Sequence, residues 1–192
     1  MAAEEFKQLS DKELIAQIVE TGETSLFGEL YDRYANKVYR KCISMVKNKE
    51  DAQDLSHDIL VKAFLNISKF AGNSSFSTWV YAITYNQCID FLRKRQKKRV
   101  VEFEPQKETI DIEDTDGIEE KIIFDIEVER LQELMDKVSE DDKAILLMKY
   151  QDEMSIEDIR MVLDLQASAV KMRLKRARDR LRKFYEKTYG KR

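Results

Sequence analysis

Apolar residues recur every three or four positions along most of the chain, which predicts helices rather than strands. Ser10 and Glu13 have the spacing of a capping box and open a helix with Leu14, Ile15, Ile18 and Val19 on one face, closed by Thr21-Gly22. A second helix starts at Thr24 or Ser25 and carries Leu26, Phe27, Leu30, Tyr31, Tyr34, Val38, Tyr39, Ile43 and Val46 at helical spacing. A third runs from about Glu50 to Phe70, with Ala52, Leu55, Ile59, Leu60, Ala63, Phe64 and Ile67 inward. Gly72-Asn-Ser-Ser75 is a polar loop. Ser77 or Thr78 caps a fourth helix with Trp79, Val80, Ile83, Cys88, Ile89 and Leu92, and that helix ends in a run of bases. The sole tryptophan, Trp79, falls on the inner face and reads as a core aromatic.

The pattern fails over residues 100–120, which hold the only proline, Pro105, many acids and few large apolar side chains. This stretch is expected to be a flexible linker. Helix returns near Ile118. Ser139 caps a further helix, Ser155 a short one with Ile156, Ile159, Val162 and Leu163, and Asp164-Leu-Gln-Ala forms a tight turn. Ser168 then opens a long helix with Val170, Leu174, Ala177, Leu181 and Phe184 inward. The expected fold is therefore all-α, with two small helical domains, residues 1–99 and 121–192, joined by the acidic linker 100–120.

Composition narrows the chemistry. One proline and five glycines leave few turn makers, which excludes a barrel or sandwich of many short strands. The only Cys and His residues are Cys42, Cys88 and His57, short of the four ligands of a structural zinc site, and Ser-His-Asp or Cys-His catalysis would rest on His57 alone. The cysteines read as buried thiols in a reducing compartment. No Gly-rich phosphate cradle is present, and no cofactor is expected. The start, MAAEEFKQLSDKEL, has no signal-peptide pattern, and no apolar run is long enough to span a membrane, so the chain is expected to be cytosolic. The acids gather in the linker or on solvated faces, which disfavours a carboxylate-based hydrolase.

The net charge of −3 hides a segregation. Residues 100–129 carry 2 basic and 12 acidic side chains, whereas residues 171–192 carry 11 basic and 2 acidic ones. Six further bases crowd into Arg93–Arg99. Two basic clusters, each closing an amphipathic helix, point to a polyanion, because Lys and Arg contacts to phosphate release condensed counterions. The last two helices, of about nine and about twenty residues across a short turn, have the shape of a helix-turn-helix. The outer face of the second presents Lys171, Met172, Lys175, Arg176 and Asp179 toward a major groove.

Four stretches in order resemble the bacterial extracytoplasmic-function (ECF) sigma factors. Residues 155–178, SIEDIRMVLDLQASAVKMRLKRAR, resemble region 4.2 through Ser155, Ile159, Leu163, Val170, Lys171, Arg173, Leu174, Arg176, Ala177 and Arg178. They depart from it at Asp158 and Arg160, at Asp164 for glycine, at Ser168-Ala169 for Gly-Thr, and at Met172 for serine. Residues 51–60, DAQDLSHDIL, resemble region 2.2, with His57 replacing a usual glutamine. Residues 76–86, FSTWVYAITYN, resemble regions 2.3–2.4, and residues 26–34 resemble region 2.1.

The resemblance implies a non-enzymatic promoter-specificity subunit with a region 2 bundle and a region 4 helix-turn-helix. Its partners would be the RNA polymerase core (β′ clamp helices and β flap) and promoter DNA. Many members also have an anti-sigma factor, and the family acts in the bacterial cytoplasm, on the nucleoid when bound to polymerase, without membrane insertion. It implies core binding at Asp51, Asp54, Leu55 and Asp58. The three acids share one helix face; a preference for Asp at a helix N-terminus accounts for Asp51 but not for Asp58, two turns inside. It implies recognition of a single-stranded −10 element by Asn73, Ser74, Ser75, Phe76 and Asn86, with Arg93, Lys94, Arg95, Lys97 and Lys98 on nearby phosphates. Lys171, Met172, Lys175 and Arg176 would read the −35 element, with Arg173 and Arg178 as phosphate or packing contacts. The alternative is a helix-turn-helix regulator that acts without core polymerase; it accounts for residues 139–192 but not for the two upstream motifs.

Overall fold

The structure, a computed structural model, describes residues 6–99 and 128–190, with side chains for 6–95 and 130–190. Among the described residues there are eight α-helices and no strand. They are α1 (Asp11–Thr21), α2 (Ser25–Val46), α3 (Lys49–Leu65), α4 (Phe76–Arg99), α5 (Val128–Met135), α6 (Glu140–Leu146), α7 (Ile156–Leu163) and α8 (Ala167–Tyr189). The chain divides into two compact units, Met1–Phe91 with Met161–Asp164, and Leu92–Arg160 with Leu165–Arg192. The expected linker 100–120 and the helix start near Ile118 lie outside the described residues.

In the first unit α2 packs against α1 and α3. The capping box forms as its spacing predicts: the Glu13 amide donates to Ser10 Oγ at 3.3 Å and the Ser10 amide donates to Glu13 Oε2 at 2.7 Å. The Ser10 hydroxyl, which also donates to Glu13 Oε2 at 2.7 Å, and then the Ser10 amide hold the Glu13 carboxyl below its usual value. Leu14, Ile15 and Ile18 are buried, but Val19 is exposed, so the apolar stripe is narrower than its sequence. Arg33 ties α1 down: Nη1 donates to Asp11 at 2.8 Å, Nε to Glu29 at 2.8 Å, and Nη2 to the Phe6 and Lys7 carbonyls at 3.2 Å. Tyr34 completes the joint with a 2.5 Å bond to Asp11. Burial, followed by that bond, pushes the Tyr34 phenol well above its ordinary range.

Three local details differ from the sequence expectation. The third helix stops at Leu65, and Ile67–Lys69 form a separate 3-10 turn, because Asn66 leaves helical geometry (φ −113°) and turns its side-chain amide back onto the Lys62 carbonyl at 2.8 Å. The fourth helix starts at Phe76, one or two residues before the expected caps. Ser75 is its cap, accepting from the Thr78 amide at 3.1 Å and pairing with the Ser77 and Thr78 hydroxyls at 2.8 Å. The last helix starts at Ala167, not Ser168, from the extended residue Gln166, which supplies no side-chain cap.

Cys42 and Cys88 are free, fully buried thiols with sulfurs 3.9 Å apart, joining α2 to α4 across the core. The bond to Cys42, then burial, raises the Cys88 thiol far above its normal value, which leaves it a packing group rather than a nucleophile. Tyr85, absent from the expected core, is 1% exposed and among its largest fully buried side chains.

In the second unit α8 packs on α6 and α5. Ser139 caps α6 by accepting from the Asp142 amide at 3.2 Å. Ser155 and Asp158 form a second reciprocal cap on α7, at 3.0 Å and 3.3 Å. The turn into α8 closes with the Leu165 amide on the Arg160 carbonyl at 3.1 Å, and Asp164 sits in the left-handed region at φ 51°. That backbone explains the glycine in the ECF pattern at this position. Asp164→Gly is expected to stabilise the protein by about 0.5 kcal/mol, measured as a rise in thermal midpoint.

Candidate docking and nucleic-acid interfaces

The acidic helix α3 is amphipathic because its buried positions Ala52, Leu55, Ile59, Leu60 and Ala63 take one side. Asp54 and Asp58 are exposed on the other, and Asp51 is half-buried at its first turn. Leu55 is 8% exposed and belongs to the core, so it supports the ridge from beneath. His57 is exposed beside the acids, its Nδ1 3.5 Å from the Tyr31 hydroxyl. Val61 and Leu65 are 41% and 71% exposed and continue the stripe of Asp54 and Asp58 at positions +7 and +11 from Asp54. Periodicity did not single them out, since two apolar residues on a helix read as interior until the packing is known. The ridge is thus acidic in its first half and apolar in its second.

The loop before α4 bends at Gly72, whose φ of 71° suits a residue without a Cβ. Asn73 and Ser75 are exposed and Ser74 is half-buried. Phe76 is 5% exposed, contrary to its expected place at an open DNA surface. Its ring stacks on Trp79 at 5.6 Å and meets Tyr34 edge-on at 5.2 Å and Phe70 at 5.6 Å. Phe76 therefore anchors the loop, and Trp79 is half-buried in the same cluster. Half-buried Phe70 packs against both at the edge of the polar loop.

Asn86 is exposed on α4, and Arg93 and Lys94 follow it at +7 and +8 on the same side of the helix. Arg95 is exposed as well. The side chains of Lys97 and Lys98 lie outside the described residues.

On α8 the inner residues Val170, Leu174, Ala177 and Leu181 are buried as the spacing predicts. Asp179, expected on the outer face, is instead buried at 6%. Lys171, Met172 and Arg176 are exposed; Arg173, Lys175 and Arg178 are half-buried. Arg178 Nη1 donates to the Tyr150 hydroxyl at 3.4 Å, which ties that arginine to the body of the unit. A cleft of about 550 Å³ lies along this helix, with Ala169, Met172, Arg173, Arg176 and Arg180 on one wall and Asp141 and Asp142 on the other. Arg180 Nη1 reaches Asp142 at 2.5 Å. Nothing in the linear sequence placed these acids opposite the basic helix.

Among the described residues there is no group of three or more His, Cys, Asp or Glu able to hold a metal ion, and no helix long and apolar enough to cross a membrane.

The Sigma-70 region 2 family matches residues 30–98, and the Sigma-70 region 4 family matches residues 128–181. The chain is 30% identical over 184 residues to the ECF RNA polymerase sigma factor SigW of Bacillus subtilis, covering 86% of this chain and 91% of that one. It is 27% identical to the ECF RNA polymerase sigma-E factor of Haemophilus influenzae over 90% of this chain and 94% of that one. Among solved structures its fold is similar to CnrH in complex with the cytosolic domain of CnrY (TM-score 0.64, 21% identity, 93% of this chain and 98% of that one). It is also similar to RpoE of Bartonella quintana in complex with the anti-sigma factor NepR (TM-score 0.59, 20% identity, 83% and 96%). With both sigma regions matched in order and a relative aligned along nine-tenths of its length, the chain belongs to the ECF family of RNA polymerase sigma factors, which bind core polymerase and direct promoter-specific transcription initiation.

Proposed function

We propose a division of labour along the chain: residues 1–99 dock on core polymerase and open the −10 element, residues 100–120 tether, and residues 121–192 read the −35 element. The observation that carries this is the pairing of an exposed acidic-to-apolar ridge on α3 with a basic, half-exposed reading helix in a second unit. Asp51, Asp54 and Asp58 face basic side chains of the β′ clamp helices, while Val61 and Leu65 desolvate against their apolar flank. Region 4 leans on the β flap.

At the −10 element, Asn73, Ser74, Ser75 and Asn86 offer hydrogen bonds to an unstacked base, with the Phe70–Phe76–Trp79 cluster holding the loop in place. Arg93, Lys94, Arg95, Lys97 and Lys98 hold the adjoining phosphates. At the −35 element, Lys171, Met172, Lys175 and Arg176 lie in the major groove, with Arg173 on the flanking backbone. Met172 replaces a hydrogen-bonding serine by an apolar side chain, which favours contact with a thymine methyl. Arg178, engaged by Tyr150, shapes the unit.

In this reading the protein has no catalytic residue of its own, works in the bacterial cytoplasm and is held in check by an anti-sigma factor. Of the two proteins whose folds it shares, RpoE is bound to the anti-sigma factor NepR in its structure and CnrH to the cytosolic domain of CnrY. Run-off transcription by core polymerase on a genomic fragment library tests the division directly. Start sites preceded by two motifs at a fixed spacing are expected; start sites no different from core alone contradict it.

A further inference from the structure

Two adjacent carboxylates face two guanidinium groups one heptad apart on α8, and the two pairs differ in kind. Asp142 is sealed, its side chain 4% exposed, and Arg180 closes on it at 2.5 Å. Releasing Arg180 would leave a buried carboxylate without its partner, so this pair stays made and fixes α8 against α6. Asp141 is open at 30%; its Oδ2 accepts from Arg93 Nη2 at 2.7 Å, and Arg173, at 38%, stands 4.0 Å from its Oδ1, at the limit of an ion pair. A pair this long and wet is worth at most about 1 kcal/mol. A nucleic-acid phosphate therefore displaces Asp141 from Arg173 at little cost, which it cannot do at Arg180.

We propose that Asp141 is a specificity-determining residue: it holds Arg173 on the protein and places a negative charge at the rim of the DNA-reading cleft. Every duplex, whatever its sequence, must displace this carboxylate to gain the Arg173 phosphate contact. A promoter offsets that cost through the base contacts of the exposed residues Lys171, Met172 and Arg176. A random duplex has no such compensation. The device lowers sequence-independent binding, which is almost wholly electrostatic, and so widens the ratio of promoter to random affinity. It does so without altering any residue that touches a base. The inference rests on the reading of α8 as the −35 helix.

The test uses the full chain and a random-sequence duplex, titrated by fluorescence anisotropy over a range of salt. D141N is expected to tighten binding about two- to fivefold and to steepen the log–log salt slope by up to about one unit, as one more phosphate contact becomes available. Because Asp141 also pairs with Arg93, the same substitution is expected to give a smaller gain in an R173Q background and none once R93Q is added, which assigns the effect to these pairs rather than to general repulsion. Unchanged or weaker binding by D141N, with an unchanged thermal midpoint, overturns the proposal. So does an equal gain in the R173Q background. A wild-type affinity that does not fall when Lys171 and Arg176 are replaced by alanine shows instead that α8 is not the DNA helix, and this separates failure of the underlying reading from failure of the inference.

Discussion

Replacing Asp54 and Asp58 together with arginine is expected to weaken binding to core polymerase by about 10- to 100-fold, or about 1.4–2.8 kcal/mol. Both side chains are exposed on α3, and neither contributes to the core beneath. The reversal brings like charge against the basic partner that the ridge is proposed to meet, so encounter slows as well as the complex weakening. Because exposed charges are screened within about 8–10 Å at physiological salt, the defect is expected to shrink as salt rises. Stability of the free protein should move by no more than about 0.5 kcal/mol, since these are surface positions. Wild-type affinity for core in the double variant, measured by fluorescence titration, removes α3 from the docking surface.

The second large effect belongs to DNA. Lys171→Ala with Arg176→Ala removes two exposed cations from the outer face of α8. If both contact the duplex, the log–log dependence of affinity on salt is expected to become shallower by about 2, from about 0.9 per phosphate contact. Affinity for a promoter-containing duplex should fall by on the order of 100-fold at low salt. A lost base-edge contact at either position would in addition relax preference at one base pair, which a systematic substitution of the site resolves. An unchanged salt slope contradicts the assignment of this face.

Helix ends were legible wherever one residue alone had capping chemistry. Ser10 with Glu13, Ser139, and Ser155 with Asp158 all form the bonds their spacing implies. The start of α4 was misplaced because Ser75, Ser77 and Thr78 are all competent caps, and only the backbone decides which hydroxyl meets a free amide. The start of α8 was misplaced for the opposite reason: Gln166 is no capping residue, and tertiary packing sets the boundary. The break at Asn66 was hidden because Ile67 continues the apolar period across it.

Periodicity assigns a residue to a face but not to a depth. Leu55 and Phe76 carry the matching motif letters, yet both are buried, so a match to a functional motif partly records the packing beneath a surface. Asp179 sits on a nominally polar face that α8 turns inward. Val61 and Leu65 show the converse, apolar residues that no neighbour covers. The acidic wall of Asp141 and Asp142 depends on how α6 crosses α8, and local sequence carries no record of that crossing.

The central claim is that this chain acts on promoters only as part of a polymerase. Permanganate footprinting of a target promoter tests it most directly, because unpaired thymines react and paired ones do not. Reactive thymines at the −10 element are predicted when the protein and core polymerase are both present, and with neither alone. Sequence-specific protection of the same duplex by the protein without core, with no strand opening when core is added, would contradict it.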